Sequence, residues 1–444
     1  MSMTETTGSG VSLRAVSLGA LMSFAIAIGE PYGVLVLRGS PMAADFSTGA
    51  AVFLFVPLVL LLNPLMKLLT GATLRRGELV TVYIMMIIAA AIPSWGFVMN
   101  LIPLLGGFTY YATPENNWGY HILPALPDWL VLTDEVAIRK LFEGGVRDEP
   151  VPWGAWVGPL TAWGGFVLCI YFLTMCILVV LRGQWLERER LIFPLAVLPL
   201  EMSDTEDGRV VAPLMRNPLM WAGALLPTAI NSMNALHSYF SFIPRIDLNT
   251  AIPILRNSVS LNCTPRFEVI GLSYLLSVDV SLGIWFFALV AHLQIGIQRM
   301  FGWSIGPTQP FSDPAPPSVA HIALGALFFI VFVSFWNARD HIKQVLRKAI
   351  GLDASIDDAN ELMSHRVAVF GGLLSLVLAV GWLVAAGLDL RVALLFIGTT
   401  LVILVGLARI ISQTGLAYGR ATVAPPVFTV NALGTKQDAQ IDNE

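Results

Sequence analysis

Long apolar stretches alternate with short polar connections along the whole 444-residue chain. Roughly 20 apolar residues in a helix cross a bilayer core. Nine segments reach about this length, at 15–37, 46–69, 79–105, 154–181, 217–240, 268–298, 318–337, 366–388 and 391–411. The pattern predicts an all-α polytopic integral membrane protein of nine to ten transmembrane helices, with the transmembrane domain over 15–411.

Helix-breaking residues interrupt several of these apolar stretches near their middle. Proline removes a backbone donor and glycine permits unusual dihedral angles, so we expect helix breaks at Pro31, Gly33, Pro93, Gly96 and Pro194. Irregular backbone at membrane depth is tolerated only against protein or a water-filled cavity. The breaks therefore predict one or two re-entrant or broken helices, which are typical of transporters.

The connections have distinct compositions. Residues 106–152 are rich in aromatic residues, which favour the membrane interface, and predict an ordered external cap with a short amphipathic helix at Asp134–Phe142. Residues 182–216 predict a cytoplasmic loop, and 338–365 a cytoplasmic amphipathic connector. The polar ends predict a cytoplasmic N-terminal tail at 1–14 and a largely disordered C-terminal tail at 412–444.

Basic residues predict the orientation of the chain. Three connections carry clusters of arginine and lysine, at 67–76, 182–216 and 339–348. The positive-inside rule places all three, and the N-terminus, in the cytoplasm. Three simple crossings by segments five to seven cannot join two cytoplasmic connections. We therefore expect a re-entrant element at 244–266 or 303–317, or a division of the sixth segment at Asp279; the sequence does not choose between these.

Charged residues make up only 13% of the chain, about half the usual share of a soluble domain. The partners we expect are the lipid bilayer of the inner membrane and a small polar solute. The net charge of −4 and the lack of a long basic run argue against nucleic acid. No His, Cys, Asp or Glu set has metal-ligand spacing, and no phosphate loop or hydrolase motif is present, so we expect no metal, cofactor or enzyme activity.

Two acidic residues lie inside apolar runs. Glu30 sits at a predicted break past the middle of the first segment, where a carboxylate can bind a cation or carry a proton. The alternative is that Glu30 lies near the external end of its helix. Asp279 needs a partner or water at membrane depth, and Arg256 or Arg266 are candidates. The alternative is that Asp279 is a polar residue at a helix break near the interface.

Three polar residues share one face of the fifth segment. Asn231, Asn234 and His237 are spaced by three, which aligns them along a helix. Polar residues in lipid face the bundle interior. They predict either a path for solute or interhelical packing.

The most distinctive string is the charged run Arg182–Arg190 that leads into Phe193-Pro194 and ends at Met202. With Leu74–Leu79, Gly271–Tyr274 and Arg409–Gly415, this string resembles a family of uncharacterised bacterial and archaeal multipass proteins. More distantly, it is similar to the oligopeptide transporter superfamily.

The resemblance implies a secondary carrier for a peptide-like or metal-chelate solute, with protons as the candidate coupling ion. Members of both groups are usually longer after the region that matches 409–415. We therefore expect a half-length relative, one part of a split carrier, or a homo-oligomer. The alternative function is a non-transporting accessory or scaffold subunit that partners another membrane protein.

Overall fold

The computed structural model describes residues 11–37, 42–43, 49–94, 97–145, 149–191, 193–204, 210–303, 306, 316–352, 358–359, 361–416 and 419–434. The helices are α1 (Leu13–Pro31), α2 (Gly49–Pro57), α3 (Asn63–Thr70), α4 (Arg76–Ala91), α5 (Val98–Tyr110), α6 (Trp118–His121), α7 (Glu135–Glu143), α8 (Trp153–Gly183), α9 (Pro194–Ser203), α10 (Pro213–Arg216) and α11 (Pro218–Tyr239). An antiparallel hairpin, β1 (Thr250–Ile254) and β2 (Val259–Cys263), precedes α12 (Phe267–Ser273), α13 (Val278–Met300), α14 (Pro317–Ala349), α15 (His365–Ala385), α16 (Leu390–Thr414) and α17 (Pro425–Leu433). Short π-helical stretches lie at Tyr32–Val36, Leu58–Leu62 and Gln184–Arg188, and a 3-10 turn at Leu123–Ala125.

The fold is all-α and polytopic, as the apolar pattern predicts. Seven helical stretches in the described residues are long and apolar enough to cross a membrane: Leu13–Val36, Gly49–Thr70, Trp153–Arg188, Val278–Met300, Pro317–Ala349, His365–Ala385 and Leu390–Thr414. The other two predicted segments are also helical. The third is divided into α4 and α5, and the fifth is α11, whose apolar run is diluted by its polar residues.

The predicted break at Pro31 and Gly33 is wrong. The chain stays helical from Leu13 to Val36, and only the hydrogen-bond pattern changes, from α to π. The amide of Leu37 donates to the carbonyl of Tyr32 at 3.1 Å, an i→i+5 bond. The helix therefore continues past Pro31 and widens only after it.

The other proline positions differ from each other. Pro93 lies between the end of α4 and the start of α5, so the third segment is interrupted there. Gly96 lies outside the described residues. Pro194 starts α9 at a position where a missing amide costs nothing, directly after Phe193, whose φ is 49°.

Three connections differ from the predicted ones. The first part of the predicted 338–365 connector, up to Ala349, is not a separate helix. It is the end of α14, which continues unbroken from the membrane span. The C-terminal tail is not disordered at 425–433, where α17 forms and Phe428 packs against the core around Val423. Residues 244–266 contain the β-hairpin rather than a helical re-entrant element. Most of 303–317 lies outside the described residues.

The predicted amphipathic helix of the cap is present as α7, one residue later than expected. Asp134 is its N-cap, and its carboxylate accepts from the amide of Ala137 at 2.7 Å. Trp163 of α8 donates to the carbonyl of Leu130 at 3.0 Å, which ties the cap to this helix.

The chain forms two compact units. The first comprises Met1–Asn100, Phe193–Trp303 and Ile411–Gly419. In it α1 packs along α4, and α4 also contacts α9, around an apolar core that includes Phe55 and Met86. The second comprises Leu101–Ile192, Ser304–Ile410 and Arg420–Glu444. In it α8 packs along α15, and both contact α14.

Candidate functional site

Glu30 is a buried carboxylate near the end of α1, in the first unit. Only 8% of the residue is exposed, and its Oε2 accepts a hydrogen bond from the backbone amide of Met42 at 3.1 Å. It lies about 26 Å along the helix from Leu13, at 1.5 Å per residue. The π turn begins two residues later. Turns of this kind occur frequently at functional sites, so the local backbone agrees with a functional role for Glu30.

Asp279 lies in the first turn of α13, where its side chain is exposed. Ser277 is the N-cap and accepts from the amide of Val280. A carboxylate at a helix N-terminus is stabilised by the helix dipole. In the described part of the chain, no hydrogen bond or ion pair joins Asp279 to Glu30 or to the arginines we expected as partners. The structure thus places Asp279 at the start of a helix. This position agrees with the alternative interpretation, in which Asp279 is a polar residue at a helix break.

Asn234 and His237 come together, but around a loop. The side-chain amide of Asn234 donates to the carbonyl of Ile246 at 3.0 Å and accepts from its amide at 2.8 Å. His237 Nδ1 donates to the carbonyl of Ile243 at 2.5 Å. Both side chains hold the chain that follows α11 against the helix. Asn231, one turn earlier, is exposed.

A charged network that the sequence analysis did not single out lies in the second unit, where α8 ends. Arg409 of α16 pairs with Glu189, and its guanidinium lies 5.3 Å from the ring centroid of Trp185. Gln184 donates to the other oxygen of Glu189 at 3.1 Å. The indole of Trp185 donates to Ser334 of α14 at 3.3 Å. One network therefore joins α8, α14 and α16.

This network is shielded from solvent and leaves free hydrogen-bonding capacity. The side chains of Arg409 and Glu189 are 14% and 19% exposed. Arg409 Nη1 and Gln184 Oε1 are buried without a partner in the described part of the chain. An unpaired buried polar atom costs about 1–3 kcal/mol, so these two positions are where water or a polar solute group would be stabilised.

A second polar group connects α8 to the segment that precedes α15. Arg182 pairs with Glu361 at 2.7 Å, and His341 Nε2 donates to the carbonyl of Val180 at 3.0 Å. His365 is 1% exposed, and both of its ring nitrogens lack a partner within the described ranges. Lys348 pairs with Asp358 at 2.8 Å. The charged residues at this end of α8 and α14 thus fix the connection to α15.

The sequence carried a signal for the first of these networks. Two of the strings that support the family resemblance, 182–202 and 409–415, come into contact. Glu189 pairs with Arg409 in the second unit. In the first unit, the amide of Phe193 donates to the carbonyl of Ser412 at 3.2 Å, and Gly415 abuts Pro194. The pairing of Arg409 with Glu189 was missed because 220 residues separate them.

Comparison with known proteins gives one result. Residues 5–442 match a family described as a family of unknown function (DUF6785). No curated protein and no solved structure matches the chain. The match covers nearly the whole sequence, so this membrane protein belongs to the DUF6785 family.

Proposed function

We propose that the chain is a secondary transporter of a small polar solute, coupled to protons through Glu30. The observation that carries this proposal is the burial of Glu30 in a membrane-spanning helix beside a π turn. An ionisable residue inside the membrane is costly to insert and generally marks an ion or substrate pathway. A carboxylate that takes up and releases a proton there couples proton movement to solute movement.

The broken third segment supports the same proposal. α4 and α5 are separated around Pro93, and such discontinuous helices surround the substrate sites of many transporters. The resemblance to the oligopeptide transporter superfamily favours a peptide-like or metal-chelate solute. We place the protein in the inner membrane with a cytoplasmic N-terminus, on the positive-inside rule.

Ligand-induced stabilisation tests the transporter proposal. A solute that binds only the folded protein raises its stability by RT ln(1 + [L]/Kd), about 2.7 kcal/mol at 100 times Kd. We expect a dipeptide, tripeptide, amino acid or metal chelate to raise the thermal midpoint of the purified full-length protein in detergent. We expect Glu30→Gln to remove the pH dependence of that shift, and Glu115→Gln, a change at an exposed cap residue, to retain it. A panel without any stabilising solute would contradict the proposal.

One observation favours the accessory-subunit alternative. α11 has no buried residue, and Gly296 is the only buried residue that the structure describes in α13. Helices that are buried so little by the rest of the chain expose a surface on which another subunit or a second copy of the chain can pack. Cross-linking in native membranes, followed by mass analysis, distinguishes the cases. A partner subunit gives a hetero-complex, a homo-oligomer gives multiples of the chain mass, and an isolated carrier gives a monomer.

A further inference from the structure

One face of α14 carries aromatic and then basic side chains along its length. Phe329, Phe332 and Trp336 are 66%, 61% and 59% exposed. Arg339, Lys343 and Arg347 follow at spacings of four, and all three are exposed. Residues three or four apart lie on the same side of a helix. The six residues therefore form one continuous stripe, which we call the α14 stripe.

Three side chains in the middle of the α14 stripe, Phe332, Trp336 and Arg339, contact each other. The rings of Phe332 and Trp336 stack, with centroids 6.0 Å apart and planes at 28°. The guanidinium of Arg339 lies 5.2 Å from the centroid of Trp336 and donates to its carbonyl at 2.8 Å. Trp and Arg in this order are typical of the boundary between hydrocarbon and headgroups. The stripe thus changes from apolar to cationic at Trp336.

The length of α14 agrees with a boundary at this position. Pro317–Trp336 spans about 30 Å at 1.5 Å per residue, which equals the thickness of a bilayer core. The 13 residues that follow, up to Ala349, extend about 20 Å further. Arg339 and Lys343 therefore lie at headgroup depth, and Arg347 lies one turn beyond them.

Neighbouring charges leave the cationic end of the stripe positive. Asp340 lies 3.5 Å from Lys343, but both side chains are about two-thirds exposed, so this pair is weak. Lys348 is directed to Asp358 and does not belong to the stripe. Arg188 of α8 donates to Gln344 at 3.0 Å and adds a further positive charge beside it.

We propose that the α14 stripe binds an anionic phospholipid. The acyl chains lie along Phe329, Phe332 and Trp336, and the headgroup phosphate is held by Arg339 and Lys343. Arg347, one turn further along, adds positive charge beside the headgroup. Both halves of the stripe are needed for this ligand: the aromatic half excludes a free phosphate as the preferred ligand, and the basic half excludes a zwitterionic lipid.

The strength of the interaction follows from the number of charges. A basic residue near an anionic membrane surface contributes about 1 kcal/mol, which is about fivefold in affinity. Removal of all three charges is expected to weaken binding of phosphatidylglycerol on the order of 100-fold. Binding of phosphatidylcholine should change little, because its headgroup has no net charge.

Lipid binding to the purified full-length protein, followed by native mass spectrometry in detergent, tests the proposal. The probes are phosphatidylglycerol, phosphatidylcholine and glycerol phosphate. We expect tighter binding of phosphatidylglycerol than of phosphatidylcholine. We also expect Arg339→Gln/Lys343→Gln/Arg347→Gln to abolish this preference. Glycerol phosphate should not compete at equal concentration, since it lacks acyl chains.

A second triple variant controls for total charge. Arg139→Gln/Arg245→Gln/Arg391→Gln removes three exposed positive charges outside the α14 stripe. It should retain the preference for phosphatidylglycerol, and both triple variants should show the thermal midpoint of the parent within a few degrees. Equal binding of the two lipids, an equal loss in both variants, or full competition by glycerol phosphate would overturn the proposal.

Discussion

At the scale of single residues, the Arg409–Glu189 pair is the interaction that links α16 to the end of α8. Its side chains are mostly buried, and Arg409 also contacts the Trp185 ring. Removing one member leaves the other as an uncompensated charge in a poorly solvated place. We expect Arg409→Met to destabilise the protein by about 3 kcal/mol, at the low end of the range for buried pairs because both side chains keep some exposure.

A double-mutant cycle in detergent separates the pair from its surroundings. Arg409→Met/Glu189→Met should be more stable than Arg409→Met alone, because no unpaired charge remains. Arg391→Met, which removes an exposed arginine from the same helix, serves as the control and should have little effect. Additive effects of the two substitutions would show that the pair is not coupled.

Asp358 lies outside the membrane spans, and we expect its titration to change the stability of the fold. The hydrogen bond from Lys348, followed by the amide of His365, holds the pKa of Asp358 below its usual value. A lowered folded-state pKa stabilises the fold at pH values above the unfolded pKa of about 4, and this contribution is lost as the pH falls further. The thermal midpoint of the wild type should therefore exceed that of Asp358→Asn at neutral pH.

The difference between these two proteins should shrink below about pH 4, as Asp358 becomes protonated. Asp340→Asn is the matched control, since Asp340 forms a longer and more exposed contact with Lys343. It should show the wild-type midpoint across the pH range. A gap between wild type and Asp358→Asn that stays constant down to pH 3 would refute the assignment.

Sequence reasoning identified residues by their local context only. Glu30 could be identified from the sequence, because a carboxylate within an apolar run is unusual whatever the fold. Glu189 was not, because it lies among other charged residues, and its burial depends on Arg409 far along the chain. Asn234 and His237 were correctly placed on one helix face, but the loop that they bind could not be predicted from helical spacing.

At the scale of elements, the close approach of Gly415 to Pro194 makes a specific prediction. Gly415 has φ of 64°, and a Cβ built on it would lie 2.5 Å from the Cβ of Pro194. Gly71 has φ of 72°, but a Cβ there would meet nothing within 4 Å. Both alanine substitutions incur the left-handed penalty of about 1 kcal/mol, and only Gly415→Ala adds a clash with backbone-linked atoms.

Thermal unfolding of the two variants in detergent isolates the contact. Gly415→Ala should lower the midpoint clearly more than Gly71→Ala, because Pro194 cannot move without displacing the start of α9. Equal midpoints would mean that the end of α16 and the start of α9 do not pack as described.

The elements themselves were largely predictable, because helices in lipid require long apolar runs. What failed was one predicted helix break and the type of one connection. Pro31 was read as a break, but the helix continues past it into a π-helical stretch. The β-hairpin at 250–263 was not predicted, because its polar and apolar residues were interpreted as a re-entrant loop.

At the scale of the whole molecule, one assignment of α11 removes the orientation conflict found in the sequence. Among the described residues, seven helical stretches are long and apolar enough to cross a membrane, and neither α11 nor the divided α4–α5 segment is one of them. We propose that α4–α5 crosses the membrane as one segment and that α11 does not cross it. With α11 excluded, only α13 and α14 separate the basic connections at 182–216 and 339–348. An even number of crossings returns both connections to one side, as the positive-inside rule requires.

This topology predicts the accessibility of one native thiol. Cys263 in the hairpin is exposed, whereas Cys169 is half-buried and Cys176 is buried. Cys263 should lie on the cytoplasmic side, so a membrane-impermeant maleimide should label it only after cells are opened. Tyr120→Cys in a Cys263→Ala background, on the cap, should be labelled in intact cells. Labelling of Cys263 in intact cells would place α11 across the membrane.

Proton-coupled transport through Glu30 is measured directly as solute-driven proton flux in proteoliposomes that contain a pH-sensitive dye. At least one dipeptide, amino acid or metal chelate should acidify vesicles that contain the wild-type protein. The same solute should acidify vesicles that contain Glu115→Gln. Glu30→Gln should show no such acidification. Acidification by Glu30→Gln at the wild-type rate, or no acidification by the wild type with any solute, would contradict proton-coupled transport through Glu30.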